Sequence, residues 1–255
     1  MKVTVLGCGG SKGIPVVARG WGKCDPKNPK NRRMRSSLLI ETCGKTILVD
    51  AAPESRQQLL DAGISHIDAV FLTHIHSDHI LGLDDLRPLA FVAKKDIPVF
   101  GSAETLSYVR KSFSWLFEEG DPNYPPCMTT CVLEEGECDI AGVPAIVFPQ
   151  AHGIVTTLGL RMGTFAYSPD CSIIPETSLA RLGGLDTWII AATLKHAGAS
   201  RVHAPLSLVL EWARRLAPKR AFLTHMGHEM DYDTLCAELP PGILPAHDGL
   251  VVEVA

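Results

Sequence analysis

No run of 18 consecutive apolar residues occurs in the 255-residue chain, which excludes a membrane-spanning helix of ordinary length. The opening Met1–Gly10 lacks the charged and apolar regions of a secretory signal. None of the eight cysteines forms a C-x-x-C pair, and a chain this long can build a core without disulfides. We read them as mostly reduced thiols of a cytoplasmic protein. No linker, low-complexity tract or repeat divides the chain, so a single domain over 1–255 is expected. With 24 Lys+Arg against 28 Asp+Glu, the formal charge of −4 argues against a surface given over to nucleic acid, though not against a local basic patch. A 46% hydrophobic, 20% charged composition excludes disordered, collagenous and coiled-coil classes.

What is present is a succession of short apolar runs. Val3–Leu6 predicts a strand ending in the glycine-rich turn 7–13, and the runs 38–41 and 46–49 around Cys43-Gly44-Lys45 predict a hairpin. Pro53 suits the first position of a helix over 55–62, closed by Gly63. Helical spacing recurs over 105–117 and over 206–216, the latter stopped by Pro218. Strands are predicted at 69–72, 145–148, 158–161, 164–167, 188–190 and 221–223. Two halves of this kind predict an α/β protein with two sheets packed face to face and helices outside.

Two clusters interrupt the pattern. Between Arg19 and Arg35 stand seven basic residues and one acidic one, in a loop marked by Pro26 and Pro29. It is either a solvated surface or a clamp for an anionic group, to which guanidinium forks are suited. The second cluster is stronger. His74, His76, Asp78 and His79 follow a predicted strand directly. Imidazoles and a carboxylate are what zinc or manganese prefers, and such density calls for a ligand because neighbouring imidazoles repel when protonated. A sharp loop could aim two of these residues one way and two the other, permitting two metals a few ångströms apart. His152, Asp170 and His225 each follow a later strand and could complete the set.

His-x-His-x-Asp-His at 74–79, followed in order by His152, Asp170 and His225, resembles the metallo-β-lactamase superfamily. The resemblance implies a four-layer αββα sandwich with a dinuclear site at one edge of the sheets. It further implies that His74, His76 and His152 hold one divalent cation, that Asp78, His79 and His225 hold the other, and that Asp170 bridges them. More finely, the start at Leu6–Gly10, the Trp21-Gly22 turn, Asn31-Arg32-Arg33, the 223–228 segment and Asp248-Gly249 resemble phosphoribosyl cyclic phosphodiesterases of the carbon–phosphorus lyase pathway. That likeness implies hydrolysis of a small cyclic phosphodiester by a hydroxide shared between two zinc or manganese ions. Asp78 and a protonated His203 would be catalytic, with His196 a weaker rival for the acid. Arg32, Arg33, His203 and His228 would contact the anionic phosphate-ester substrate, and a homodimer is the family-based expectation.

Three departures qualify the likeness. Only Cys24 remains where some relatives carry several cysteines after the Trp-Gly turn. Cys171 competes with Asp170 as a ligand. Ala191-Ala192 stand where relatives often have an aspartate supporting the acid. An RNA phosphodiesterase, an ester, thioester or lactam hydrolase, and a metal-binding accessory protein without turnover remain alternatives. The glycine-rich turn fits neither phosphate-loop pattern and reads as a tight turn near the site.

Overall fold

The computed structural model describes residues 1–120, 122–196, 198 and 200–255. In the first half the strands are β1 Lys2–Gly7, β2 Ser37–Thr42, β3 Lys45–Val49, β4 Ala69–Phe71, β5 Ile97–Gly101 and β6 Met128–Val132. The second half contributes β7 Gly136–Ile140, β8 Val143–His152, β9 Val155–Met162, β10 Phe165–Ser168, β11 Thr187–Ala191, β12 Arg220–Thr224, β13 Ile243–Pro245 and β14 Leu250–Glu253. The helices are α1 Ser55–Asp61, α2 Ser77–Ile80, α3 Arg87–Ala93, α4 Ala103–Ser112, α5 Ser114–Phe117, α6 Glu176–Leu179, α7 Leu206–Leu216 and α8 Tyr232–Glu238. Among the described residues no helix is long and apolar enough to cross a membrane.

The strands form two seven-stranded sheets, ordered β14-β1-β2-β3-β4-β5-β6 and β13-β12-β11-β10-β9-β8-β7. Alternate side chains of a strand point to opposite faces, and here both faces are apolar. Leu38, Ile40, Ile47 and Val49 share a core with Val147, Leu160 and Ile189 of the second sheet. Their neighbours Leu39 and Leu48 instead join Leu59 of α1 and Leu106 and Val109 of α4. Val209 and Trp212 of α7 belong to the larger core. A sheet buried on both sides needs cover on both, which gives the helix–sheet–sheet–helix layering the sequence led us to expect.

Local chemistry sets the element ends. Cys43 and Gly44, at φ 51° and 69°, form a two-residue hairpin loop of the left-handed kind that matches strand twist. Helix α7 runs 206–216 as predicted, ending where Ala217 turns left-handed before Pro218. Two expectations shift. Pro53 is not the first residue of α1, because Glu54 takes the cap and the helix begins at Ser55. The segment 105–117 is two helices, because Ser102 caps α4 through Thr105 N and Phe113 leaves helical dihedrals at φ −128°.

Strands β3, β4 and β5 are parallel, as are β10, β11 and β12. β8 is antiparallel to β9, which is antiparallel to β10, so β8 runs with β10. Leu158 N donates to Thr73 O, linking the sheets near the carboxyl ends of these strands, the edge where open α/β sheets place ligands.

Candidate metal centre

Seven side chains converge on that edge. The 74–79 segment leaves β4 and coils into α2, His152 ends β8, and Asp170 and His225 follow β10 and β12. His74, His76, His152 and Asp170 each place one ligand atom within 4.8 Å of the others. Asp78, His79, Asp170 and His225 do the same, so Asp170 belongs to both groups. The second group is buried throughout, and in the first only His76 is partly open. Asp170 lies 3.1 Å from His225 Nε2 through Oδ1, and 3.7 and 3.8 Å from His152 Nε2 and His79 Nε2 through Oδ2. Cys171 is in neither group. Its thiol lies in the larger core, where burial and the Asp170 charge raise its pKa.

The other ring nitrogens are held by groups that single-residue motifs do not reveal. Asp50, buried just after β3, accepts from Thr73 N at 2.8 Å, from Thr73 Oγ1 at 2.9 Å and from His79 Nδ1 at 2.7 Å. Since Thr73 gives its hydroxyl hydrogen to Asp50, it accepts from His74 Nδ1 at 2.9 Å. His152 Nδ1 donates to Val202 O at 2.6 Å. In the neutral rings these bonds place the hydrogen of His74, His79 and His152 on Nδ1 and turn Nε2 inward, as metal-binding imidazoles require. His74 Nε2, His79 Nε2 and Asp170 Oδ1 are buried with no hydrogen-bond partner. Unpartnered polar atoms in such a cluster fit a pair of cations, whose binding would satisfy them. Asp50 and His225 sit at φ 61° and 52°, a conformation non-glycine residues adopt at a cost.

The electrostatics agree. Burial lowers the pKa of His74 and His76. Burial also opposes charge on Asp78, Asp170 and His79. The neighbouring imidazoles overcome it and hold both carboxyls far below the usual range, while Asp50 and Asp78 raise His79.

His203 lies at this centre, its ring 4.8 Å from that of His152 and 5.4 Å from that of His225. Burial first, then the adjacent imidazoles, bring its pKa down to about 4 against the pull of Asp170. Its Nδ1 lies 3.2 Å from Thr193 Oγ1, a group supplied just after Ala191-Ala192. His196 is exposed and does not join the cluster, His66 pairs with Asp68, and His247 meets Tyr232 edge to face.

The basic loop is stitched to the segment following His225. Lys23 N donates to His228 O, Asn31 Nδ2 to Asp231 at 2.7 Å, and Tyr232 N to Asn31 Oδ1. Arg32 is exposed over the Trp21 ring, 5.3 Å from its centre. Arg33 departs from expectation: it is 1% exposed and donates to Asn31 Oδ1 inside the loop, where its side chain is closed off from a substrate in solvent. His228 packs against Gly22, where a Cβ would lie 2.4 Å from its ring. The glycine turn is not a phosphate cradle. The amides of Gly9, Gly10 and Gly13 are used by Met34 O, Met226 O and Gly10 O, and a Cβ at Gly7 would stand 2.1 Å from Arg35 O.

A family model described as a beta-lactamase superfamily domain matches residues 45–226. Over 253 residues the chain is 30% identical to an octanoyltransferase of Porphyromonas gingivalis, a match covering 98% of this chain and 51% of that protein. It is 32% identical over 136 residues to a ribonuclease Z of Bradyrhizobium diazoefficiens, covering 51% of this chain and 44% of the relative. The chain thus spans about half the length of these curated relatives. Among solved structures, a diphosphatase of the PhnP family superposes with a TM-score of 0.89 at 32% identity, over 100% of this chain and 98% of that one.

Proposed function

The chain belongs to the beta-lactamase superfamily as a hydrolase of the metallo-β-lactamase fold, and from that premise we propose that it cleaves small phosphodiesters, cyclic ones in particular, using two divalent cations, zinc or manganese. The observation carrying this reading is the pair of ligand groups that share Asp170. His74, His76 and His152 would hold one cation, Asp78, His79 and His225 the other, and Asp170 both. When bound, the cations supply Lewis acidity toward phosphoryl oxygens and ease the deprotonation of water.

The chain's own residues do the rest. Asp50, Thr73 and the Val202 carbonyl hold three imidazoles by Nδ1, so that Nε2 of each faces the ligand groups. Asp78, 3.3 Å from His225 Nε2, balances charge within the second group. His203, half-buried beside both groups, is placed to give a hydrogen to the oxygen leaving phosphorus, a contribution typically worth about 10²–10⁴-fold. A phosphodiester anion beside the ring favours its charged form. Arg32, with exposed Lys23, Lys27 and Lys30, offers cations to a second anionic group on the substrate.

The full-length match to half of an octanoyltransferase favours one second reading, cleavage of an acyl thioester. Zinc- or manganese-loaded protein is therefore assayed with a bis-aryl phosphate, a cyclic ribose phosphate, a short RNA, an octanoyl thioester and a lactam. We expect phosphodiester turnover that disappears in Asp78→Ala. Turnover of the thioester alone would replace the lead reading with the second, and turnover of RNA alone would move the substrate to nucleic acid.

A further inference from the structure

We propose that Thr193 is a positioning residue that determines which nitrogen of His203 carries hydrogen. The inference rests on the role given to His203 above. Thr193 Oγ1 stands 3.0 Å from His225 Nδ1 and 3.2 Å from His203 Nδ1. His225 turns its Nε2 toward Asp170 and Asp78, at 3.1 and 3.3 Å, inside the second ligand group. A ligating nitrogen carries no hydrogen, so the hydrogen of this neutral ring sits on Nδ1 and is donated to Thr193. The reverse polarity would put hydrogen on His225 Nε2 and remove it as a ligand.

A hydroxyl has a single hydrogen. With His225 donating to it, Thr193 gives that hydrogen to His203 Nδ1, which becomes the acceptor. Neutral His203 then carries its own hydrogen on Nε2, the nitrogen Thr193 does not hold. If the ring gains a second proton, the hydroxyl turns and accepts from both imidazoles, and Nε2 keeps its hydrogen. In either charge state Nε2 can donate to a departing oxygen. The tautomer that could not donate is disfavoured by the loss of one hydrogen bond.

The backbone keeps the hydroxyl between the rings. Strand β11 ends at the buried Ala191, and the N–H of the next residue, buried Ala192, donates to Thr224 O. Gly227 N donates to Thr193 O at 3.2 Å, and a Cβ at Gly227 would approach that carbonyl to 2.7 Å. Leu194 O then accepts from Leu206 N at the start of α7. Thr193 is thus pinned on both sides, with no carboxylate in the strand to take its place.

The test compares wild type, Thr193→Val and Thr193→Ser, each loaded with zinc and checked for metal content. ¹⁵N-edited spectra of the histidine rings report the tautomer of His203 directly. Hydrolysis is read in parallel on a diester with an alkoxide leaving group and on one with a nitrophenolate leaving group. We expect Nε2–H in wild type and in Thr193→Ser, and a mixture in Thr193→Val. We also expect kcat for the alkoxide substrate to fall about tenfold in Thr193→Val, the worth of one net hydrogen bond, with the nitrophenolate substrate nearly unchanged. An unchanged tautomer in Thr193→Val, or equal losses in Thr193→Ser and Thr193→Val, would overturn the proposal. A shifted tautomer in a protein that hydrolyses neither diester would leave the Thr193 assignment standing and retire the hydrolytic reading instead.

Discussion

Asp50→Asn removes one charge and two lone pairs while leaving shape and backbone almost untouched. Asparagine accepts the left-handed φ of 61° that an alanine here would resist. The aspartate accepts from three donors: Oδ1 from Thr73 N, and Oδ2 from Thr73 Oγ1 and His79 Nδ1. An amide cannot serve all three. Its best orientation puts oxygen against His79 and Thr73 Oγ1, which turns the NH2 group on the buried Thr73 N–H. One unsatisfied buried donor costs about 1–3 kcal/mol, and in a chain of this size each kcal/mol lowers Tm by about 2–4 °C. The loss of charge behind His79 also weakens that imidazole as a ligand, by about 10–100-fold in metal affinity. Calorimetric titration with zinc should show the His79 group weakened more than the His74 group, which feels Asp50 only through Thr73. Two sites of wild-type affinity in Asp50→Asn, with Tm unchanged, would refute the reasoning.

Metal uptake should release protons and weaken as pH falls, because Asp50 and Asp78 raise the His79 pKa and a cation must displace that proton; titrations in buffers of different ionisation enthalpy measure the release. Arg32→Ala should raise KM for a substrate with a second phosphate more than for a bis-aryl phosphate, whereas Arg33→Ala, which empties a buried position, should lower Tm, and steady-state kinetics with thermal melts separate the two. Asp248 has its pKa pushed up to about 6, by burial above all, against the amides of Met34 and Cys8. A carboxyl raised on folding binds its proton more tightly in the native state, so its contribution is lost as pH rises from about 4 to about 6. Urea midpoints of wild type should fall over that window relative to Asp248→Asn, and parallel curves would contradict this.

The strands legible in the sequence are mostly interior ones. Those it leaves unread include β14, β6, β13 and β7, the four outer strands of the two sheets. Their half-exposed faces carry residues such as Thr129, Glu137 and Val251, so neither an apolar run nor a clean alternation survives. β5 is interior and also unread, Pro98 obscuring its pattern. Helix α7 was legible because its period lies between Pro205 and Pro218. The seven clustered side chains were legible because six of them are histidines or lie among them; the groups that hold them were not. Asp50 lies 23 residues before Thr73, and a threonine such as Thr193 gains meaning only when folding brings two imidazoles to one hydroxyl.

One carboxylate serving two ligand groups has a thermodynamic corollary. With a cation in each group, whichever rotamer suits the first arrival would fix the oxygen offered to the second, so each ion would alter the other's dissociation constant by the same factor. Occupancy of such a pair is a property of the couple, and a trace competitor lodged on one side of Asp170 reshapes selectivity on the other.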